Sequence, residues 1–253
     1  MTPARGGRGR VVGRSDDAPA LAFGPGHAAG APFPPAFYDR DPRRVARELL
    51  GAVLECRTPE GLASGVVVET EAYLGPADPA CHAVVGRTAR TWHLHGPPGR
   101  AYVYFIYGVH WCFNAVTRRE GIGSAVLVRA LAPLQGVDLM RTRRPRARID
   151  RDLCNGPGKL CAALGIDGRL DGAPLDGGAL VLRAGAIVAD AAVDVTPRIG
   201  ITRAADWPLR YLVRTHPDVS RTPPAFSRQR YAPGVDAVPS AALAPLDDAP
   251  EGG

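Results

Sequence analysis

Apolar and polar positions alternate with a period of two along GVVVETEAYL, residues 65–74, which predicts a β-strand. That period sends Val66, Val68, Thr70 and Ala72 to one face and Val67, Glu69, Glu71 and Tyr73 to the other. The first face reads as core. The second gathers two carboxylates and a phenol, which suits either a solvent-facing strand or the wall of a cleft. Upstream, DPRRVARELLGAVLECR (41–57) opens on an aspartate cap and carries helical apolar spacing through Val45, Leu49 and Leu50. Downstream, AYVYFIYGVHWCFNAVT (101–117) reads as two aromatic-rich strands that meet near Tyr107-Gly108, a β-hairpin. SAVLVRAL (124–131), ALVLRAG (179–185) and PLRYLVR (208–214) predict further short strands; PLQGVDLMRTRR (133–144) and GPGKLCAALGI (156–166) predict helices. Strands with interspersed helices and no regular βαβ alternation indicate an α+β fold. The expectation is one mixed domain with a curved, largely antiparallel sheet, a protruding hairpin and surrounding helices.

The termini break the pattern. Residues 1–32 are Gly, Ala, Pro and Arg without periodicity and read as a disordered basic arm; residues 233–253 read as a disordered tail, leaving 33–232 as the domain. No apolar leader and no run of about 18 apolar residues is visible, so no membrane association is expected. Five cysteines without a C-x-x-C pair fit reduced thiols in a cytoplasmic protein. The formal net charge of +6 and pI near 9.4 raise the prospect of a polyanionic partner. Lys159 is the only lysine among 31 basic side chains, which leaves Schiff-base chemistry a single candidate.

Three groups of residues could carry chemistry. If the Glu69–Glu71–Tyr73 face lines a cleft, burial and a neighbouring like charge would tune one carboxylate for general-base work. In the hairpin, Tyr102 and Phe105 read as sheet packing, whereas Tyr107, beside glycine at the tip, has little core to reach. A protruding aromatic near Arg87, Arg90, Arg100, Arg118 and Arg119 has the makings of a wedge into stacked bases. CNGPGKLC (154–161) lacks the phosphate-loop spacing, so nucleotide binding is rejected; a turn, or a helix N-terminus against a DNA phosphate, remains open. His82, His93 and His95 raise a metal-dependent hydrolase as one alternative, without any established zinc spacing. A noncatalytic binder of distorted DNA is another.

VETEAYLGPADPACHA, GPPGRAYVYFIYGVHWCFNAVT, AVLVRALAPLQG, LCNGPGKLCAALGI and RIGITRAADWPLRYLV together resemble the 3-methyladenine DNA glycosylases of the alkyladenine type, in order from about residue 33 to 222. The resemblance implies a mixed α/β domain that excises alkylated or deaminated purines (3-methyladenine, 7-methylguanine, hypoxanthine) from double-stranded DNA by hydrolysis, with no metal or organic cofactor. It assigns Glu71 as general base and Arg129 to the attacking water. Tyr73, His82 and Tyr104 would surround the extruded base, Tyr107 would fill the vacated place, and Asn114 would crowd the 2-amino group of normal guanine. Glu69 receives no role. GRTARTWHLHGPPG (86–99) departs from the family's usual GRTPRNEPMFGPPG, with Thr91 for asparagine and Leu94-His95 for Met-Phe; Val109 stands where methionine is common. A monomer in the bacterial cytoplasm, held at the nucleoid through DNA, is the accompanying expectation.

Overall fold

The computed structural model describes residues 29–232 and 234–239. Apart from 29–32 and 234–239, the expected arm and tail lie outside the described residues. The first described residues run along a sheet edge: the Gly30 N–H donates to Ala184 O at 2.7 Å and the Phe33 N–H to Leu182 O at 3.0 Å.

Helices α1 (Pro35–Tyr38) and α2 (Pro42–Glu48) come first. Asp41 caps α2 by accepting the Arg43 N–H at 2.8 Å, and Pro42 fills the first turn, where a missing N–H costs nothing. Strands β1 (Val53–Thr58) and β2 (Gly61–Tyr73) form a hairpin. The aromatic hairpin follows as β3 (Ala101–Ile106) and β4 (His110–Thr117), then β5 (Ser124–Gln135). Helices α3 (Val137–Arg143), α4 (Arg151–Cys154) and α5 (Pro157–Leu164) precede β6 (Asp176–Gly177), β7 (Leu180–Arg183), β8 (Val193–Thr196), β9 (Arg210–Val213) and β10 (Gln229–Arg230). All strand pairings are antiparallel. The α+β architecture is as the sequence predicts.

β2 is the axis of the sheet. Along one edge it pairs with β5; along the other its first half pairs with β1 and its second half with β9. Its pairing with β5 slips three times, once between Ser64 and Gly65 near its start and twice at the acidic segment. From Val67↔Leu131 to Glu69↔Ala130, β2 carries an extra residue, Val68; from Glu69↔Ala130 to Thr70↔Val128, β5 carries one in return, Arg129. The last two cancel, so register is restored for Glu71↔Leu127 and Tyr73↔Ala125. A bulge bends its strand and re-aims the side chains around it. Here that device brings Arg129 to the acidic segment of β2.

The structure alters two sequence expectations. The helical spacing of 41–57 ends early: α2 stops at Glu48, and Val53 opens β1. Gly51 turns the chain at φ +88°, where an added Cβ would stand 2.0 Å from Ala186 O. In β2, strict alternation fails at the bulge, and Val66, Val67 and Val68 are all core residues. One side is covered by α2, where the Thr70 hydroxyl donates to Ala46 O at 2.8 Å. The other side is no solvent face either, for Glu69 and Glu71 are both 0% exposed.

Candidate active site

Two buried carboxylates require compensation, since an unpaired charge in the interior costs several kcal/mol or more. Glu69 has it in full. Its Oε1 accepts from Arg210 Nε at 2.6 Å, Ser220 Oγ at 2.8 Å and Arg129 Nε at 3.0 Å, and its Oε2 from the Ser220 N–H at 2.7 Å. Burial alone would raise this carboxyl, but Arg210 and Arg129 hold it below the usual range. Arg129 spans both acids, with its NH1 3.2 Å from Glu71 Oε1. Glu71 Oε1 also accepts the Ile199 N–H at 2.8 Å, and Oε2 accepts the Tyr73 hydroxyl at 2.9 Å. Burial and the adjacent Glu71 push the Tyr73 phenol well above its ordinary pKa, so it stays a donor. A carboxylate has about four acceptor sites. Among the described residues three are taken on Glu71, which leaves one on Oε2.

Above this floor opens a cavity of about 410 Å³, within the ~300–1,000 Å³ typical of small-molecule sites. Tyr73, His82, Tyr104, Tyr107, Asn114 and Arg129 all line it, so the structure gathers six of the seven sequence candidates around one space. Glu71, fully buried, does not line the cavity itself but contacts two residues that do, Tyr73 and Arg129. Arg198 covers one face of the Tyr73 ring, 4.7 Å from its centroid, which leaves only the other face for a ligand. His82 Nδ1 is 2.9 Å from the Tyr102 hydroxyl, and burial together with Arg90 lowers its pKa, favouring neutral imidazole. The His82 and Tyr104 rings touch edge to face, with centroids 4.6 Å apart at 67°. Asn114 donates its Nδ2 to Tyr102 O at 3.1 Å, which fixes the orientation of its amide.

The hairpin tip carries Tyr107, 78% exposed. Both tip residues have positive φ, 54° for Tyr107 and 68° for Gly108, as type I′ hairpin turns demand. Glycine meets that demand freely; tyrosine does so at a cost of about 1–2 kcal/mol. A bulky side chain kept in this conformation, facing water, has no packing reason to be there. Nearby, Arg90 donates to Phe105 O at 3.1 Å and stacks toward Tyr104, and Arg87 lies 4.4 Å over the exposed Trp92.

The other histidines are engaged separately. His93 Nδ1 is 2.8 Å from Asp171 Oδ2, and His95 Nδ1 is 3.0 Å from Gly121 O. Among the described residues no three His, Cys, Asp or Glu side chains are grouped to hold a metal ion, so His82, His93 and His95 do not form the ligand set of the hydrolase alternative. The 154–161 segment does reach the cavity, through Gly156, Pro157, Gly158 and Lys159, with Lys159 Nζ bound to Asn155 Oδ1 at 2.6 Å. Sequence reasoning assigned nothing to Ile199, Gly200 and Ile201, which complete one wall. Only their place inside RIGITRAADWPLRYLV pointed to them.

An acid–arginine floor, aromatic walls and an exposed aromatic at the rim define a cavity with the size and lining to fit a flat ring. Comparison with known proteins agrees. The profile of the methylpurine-DNA glycosylase family matches residues 36–217. A protein of Rubrobacter xylanophilus is 53% identical over 171 residues, covering 66% of this chain and 85% of the relative. One from Burkholderia lata is 47% identical over 188 residues (73% and 88%), and one from Carboxydothermus hydrogenoformans 44% over 190 (75% and 98%). All three bear the provisional name 3-methyladenine DNA glycosylase. The chain belongs to the methylpurine-DNA glycosylase family. It is a DNA-repair hydrolase of N-glycosyl bonds.

Proposed function

We propose that the enzyme acts on duplex DNA, draws a damaged purine into the 410 Å³ cavity, and hydrolyses its glycosidic bond with a water that Glu71 deprotonates. The observation that carries this reading is an acceptor site on Glu71 Oε2 left free among the described residues, in a carboxylate whose other contacts there are Arg129, Ile199 N–H and the Tyr73 hydroxyl. A water bonded there shares the carboxylate with the Arg129 guanidinium, which sits against Oε1. Attack at the anomeric carbon breaks the bond to the purine, releasing free base and an abasic site.

Extrusion of a base costs a few kcal/mol, and stacking on aromatic rings returns ~1–3 kcal/mol per base. Tyr73, His82 and Tyr104 supply those rings. A purine enclosed between two walls needs about 7 Å between them, twice the carbon contact distance. His82 and Tyr104, at 4.6 Å, therefore part if the base enters between them. Tyr107 fills the gap left in the duplex, and Asn114 opposes the 2-amino group of normal guanine. Purines methylated at N3 or N7 are cationic, so they are attracted to tyrosine faces and leave readily. The reading extends to 3-methyladenine, 7-methylguanine and hypoxanthine as substrates, and to a cytoplasmic, nucleoid-bound monomer that needs no metal or organic cofactor. The deciding experiment is release of free bases from duplexes carrying each lesion, with and without EDTA, by the parent enzyme and Glu71→Gln. The variant is expected to bind lesion DNA and release no base; retained turnover removes Glu71 from this role.

A further inference from the structure

Beside Glu71 and Tyr73 lies a second buried ion pair that the proposed steps leave unused. Arg198 and Asp78 are both fully enclosed, with NH1 2.5 Å from Asp78 Oδ2 and NH2 2.9 Å from Oδ1. A buried pair of this kind is poor value as a stabiliser, because desolvation consumes most of its attraction. Its remaining contacts all run to parts of the site. Arg198 NH1 donates to Ala72 O at 3.0 Å, the carbonyl between Glu71 and Tyr73. The guanidinium plane backs the Tyr73 ring at 4.7 Å. The next residue, Ile199, donates its N–H to Glu71 Oε1. Asp78 Oδ2 accepts the Leu74 N–H at 3.1 Å, just past the end of β2, and Oδ1 accepts the Ala80 N–H at 3.0 Å, two residues before His82. One pair thus ties together the end of β2, the loop that carries His82 and the 198–201 wall.

We propose that Asp78 and Arg198 form a buried strut that positions Glu71 and the Tyr73 wall for the chemical step without touching DNA. The inference rests on the reading of Glu71 as base. The alternative is a pair that serves folding alone.

Arg198→Lys keeps a cation but loses the two-pronged fork and the flat surface behind Tyr73; Asp78→Asn keeps the volume and loses the charge. Each variant is compared with the parent by thermal melting, by affinity for a duplex bearing an abasic-site analogue, and by the single-turnover rate of base release from methylated duplex DNA. The expected result is a folded protein with unchanged affinity and a rate lowered on the order of 10²-fold, as small misplacements of reacting groups produce. The double variant loses no more than the worse single one, since both substitutions break the same strut. A parent-like rate in folded variants overturns the proposal, as does a rate loss matched by an equal affinity loss. Failure of both variants to fold overturns it too, by making the pair a stability element. Glu71→Gln, run alongside, separates the two ideas. If it turns over, the base assignment falls. If it is inactive while Arg198→Lys behaves as the parent, only the strut falls.

Discussion

Replacing Glu69 with glutamine isolates the worth of the buried charge network. The network pairs Glu69 and Glu71 with Arg129 and Arg210, two negative charges against two positive, all buried. Glutamine keeps the volume, so no cavity opens. It removes one charge and turns an amide NH2 toward a pocket built from four donors: Arg210 Nε, Arg129 Nε, Ser220 N–H and Ser220 Oγ. At most two of those find the new carbonyl oxygen. Breaking a buried ion pair from one side costs about 3–5 kcal/mol. For a domain of this size each kcal/mol lowers Tm by about 2–4 °C, so the loss is roughly 6–20 °C. The same change at Glu71 costs less. Its glutamine still accepts from Arg129 and Ile199 N–H through one oxygen and meets Tyr73, a hydroxyl able to accept, with its NH2. Thermal or denaturant unfolding of the two variants, with single-turnover base release at a temperature where both are folded, tests the contrast. Glu69→Gln is the less stable and Glu71→Gln the less active. A Glu69→Gln loss below about 1 kcal/mol, the level of an exposed pair, refutes the energetic reasoning.

Three further outcomes follow from the geometry. Tyr107→Ser, at an exposed tip, shifts stability by no more than about 0.5 kcal/mol, while base extrusion, read by fluorescence of a base analogue, weakens more than nonspecific DNA affinity; equal losses remove the wedge. Burial and Arg90 lower the His82 pKa, so its ring is neutral at pH 6.5 and above and gains a proton only further down in pH. Affinity for a cationic methylpurine then falls as pH drops through that lowered value, and His82→Phe abolishes this limb. At Asp218 burial pushes the carboxyl up to about 6, opposed by Arg151 and reinforced by Asp150. The folded state therefore holds this proton more tightly than the unfolded chain, and the stability it contributes is full below about pH 4 and lost as pH rises through 6. Melting of Asp218→Asn against the parent should show no difference at pH 4 and a gain at pH 7–8.

The sheet was legible where apolar positions alternate. VVVETEAY and the two arms around Tyr107-Gly108 declare themselves as strands, and the fold class follows. β1 was hidden because Leu49, Leu50, Ala52, Val53 and Leu54 make a nearly continuous apolar run, which periodicity cannot divide between helix and strand. The paired bulges at Val68 and Arg129 leave no local mark at all. The partners that neutralise the site were equally out of reach: Arg210 meets Glu69 across 141 positions of sequence, and Arg198 meets Asp78 across 120. Tyr107 stood out by its misfit at a turn. For Glu71, Arg129 and Asn114, roles came from resemblance to a family, since two acids on a strand face are equally at home in water.

The cancelling extra residues in β2 and β5 also bear on how such a chain can change length. Deleting Val68 alone would leave the extra residue on β5 unmatched: Arg129 stays bulged without its counterpart, or the ladder closes over it and every β2 residue from Thr70 onward slips one place against β5, giving Glu71 and Tyr73 the wrong neighbours. Deleting Arg129 alone would do the same from the other strand. Only paired removal keeps the ladder in step, and it takes away the arginine that the acids require. Insertions and deletions are thereby confined to the connecting loops, and the centre of the sheet is fixed in length as firmly as in composition.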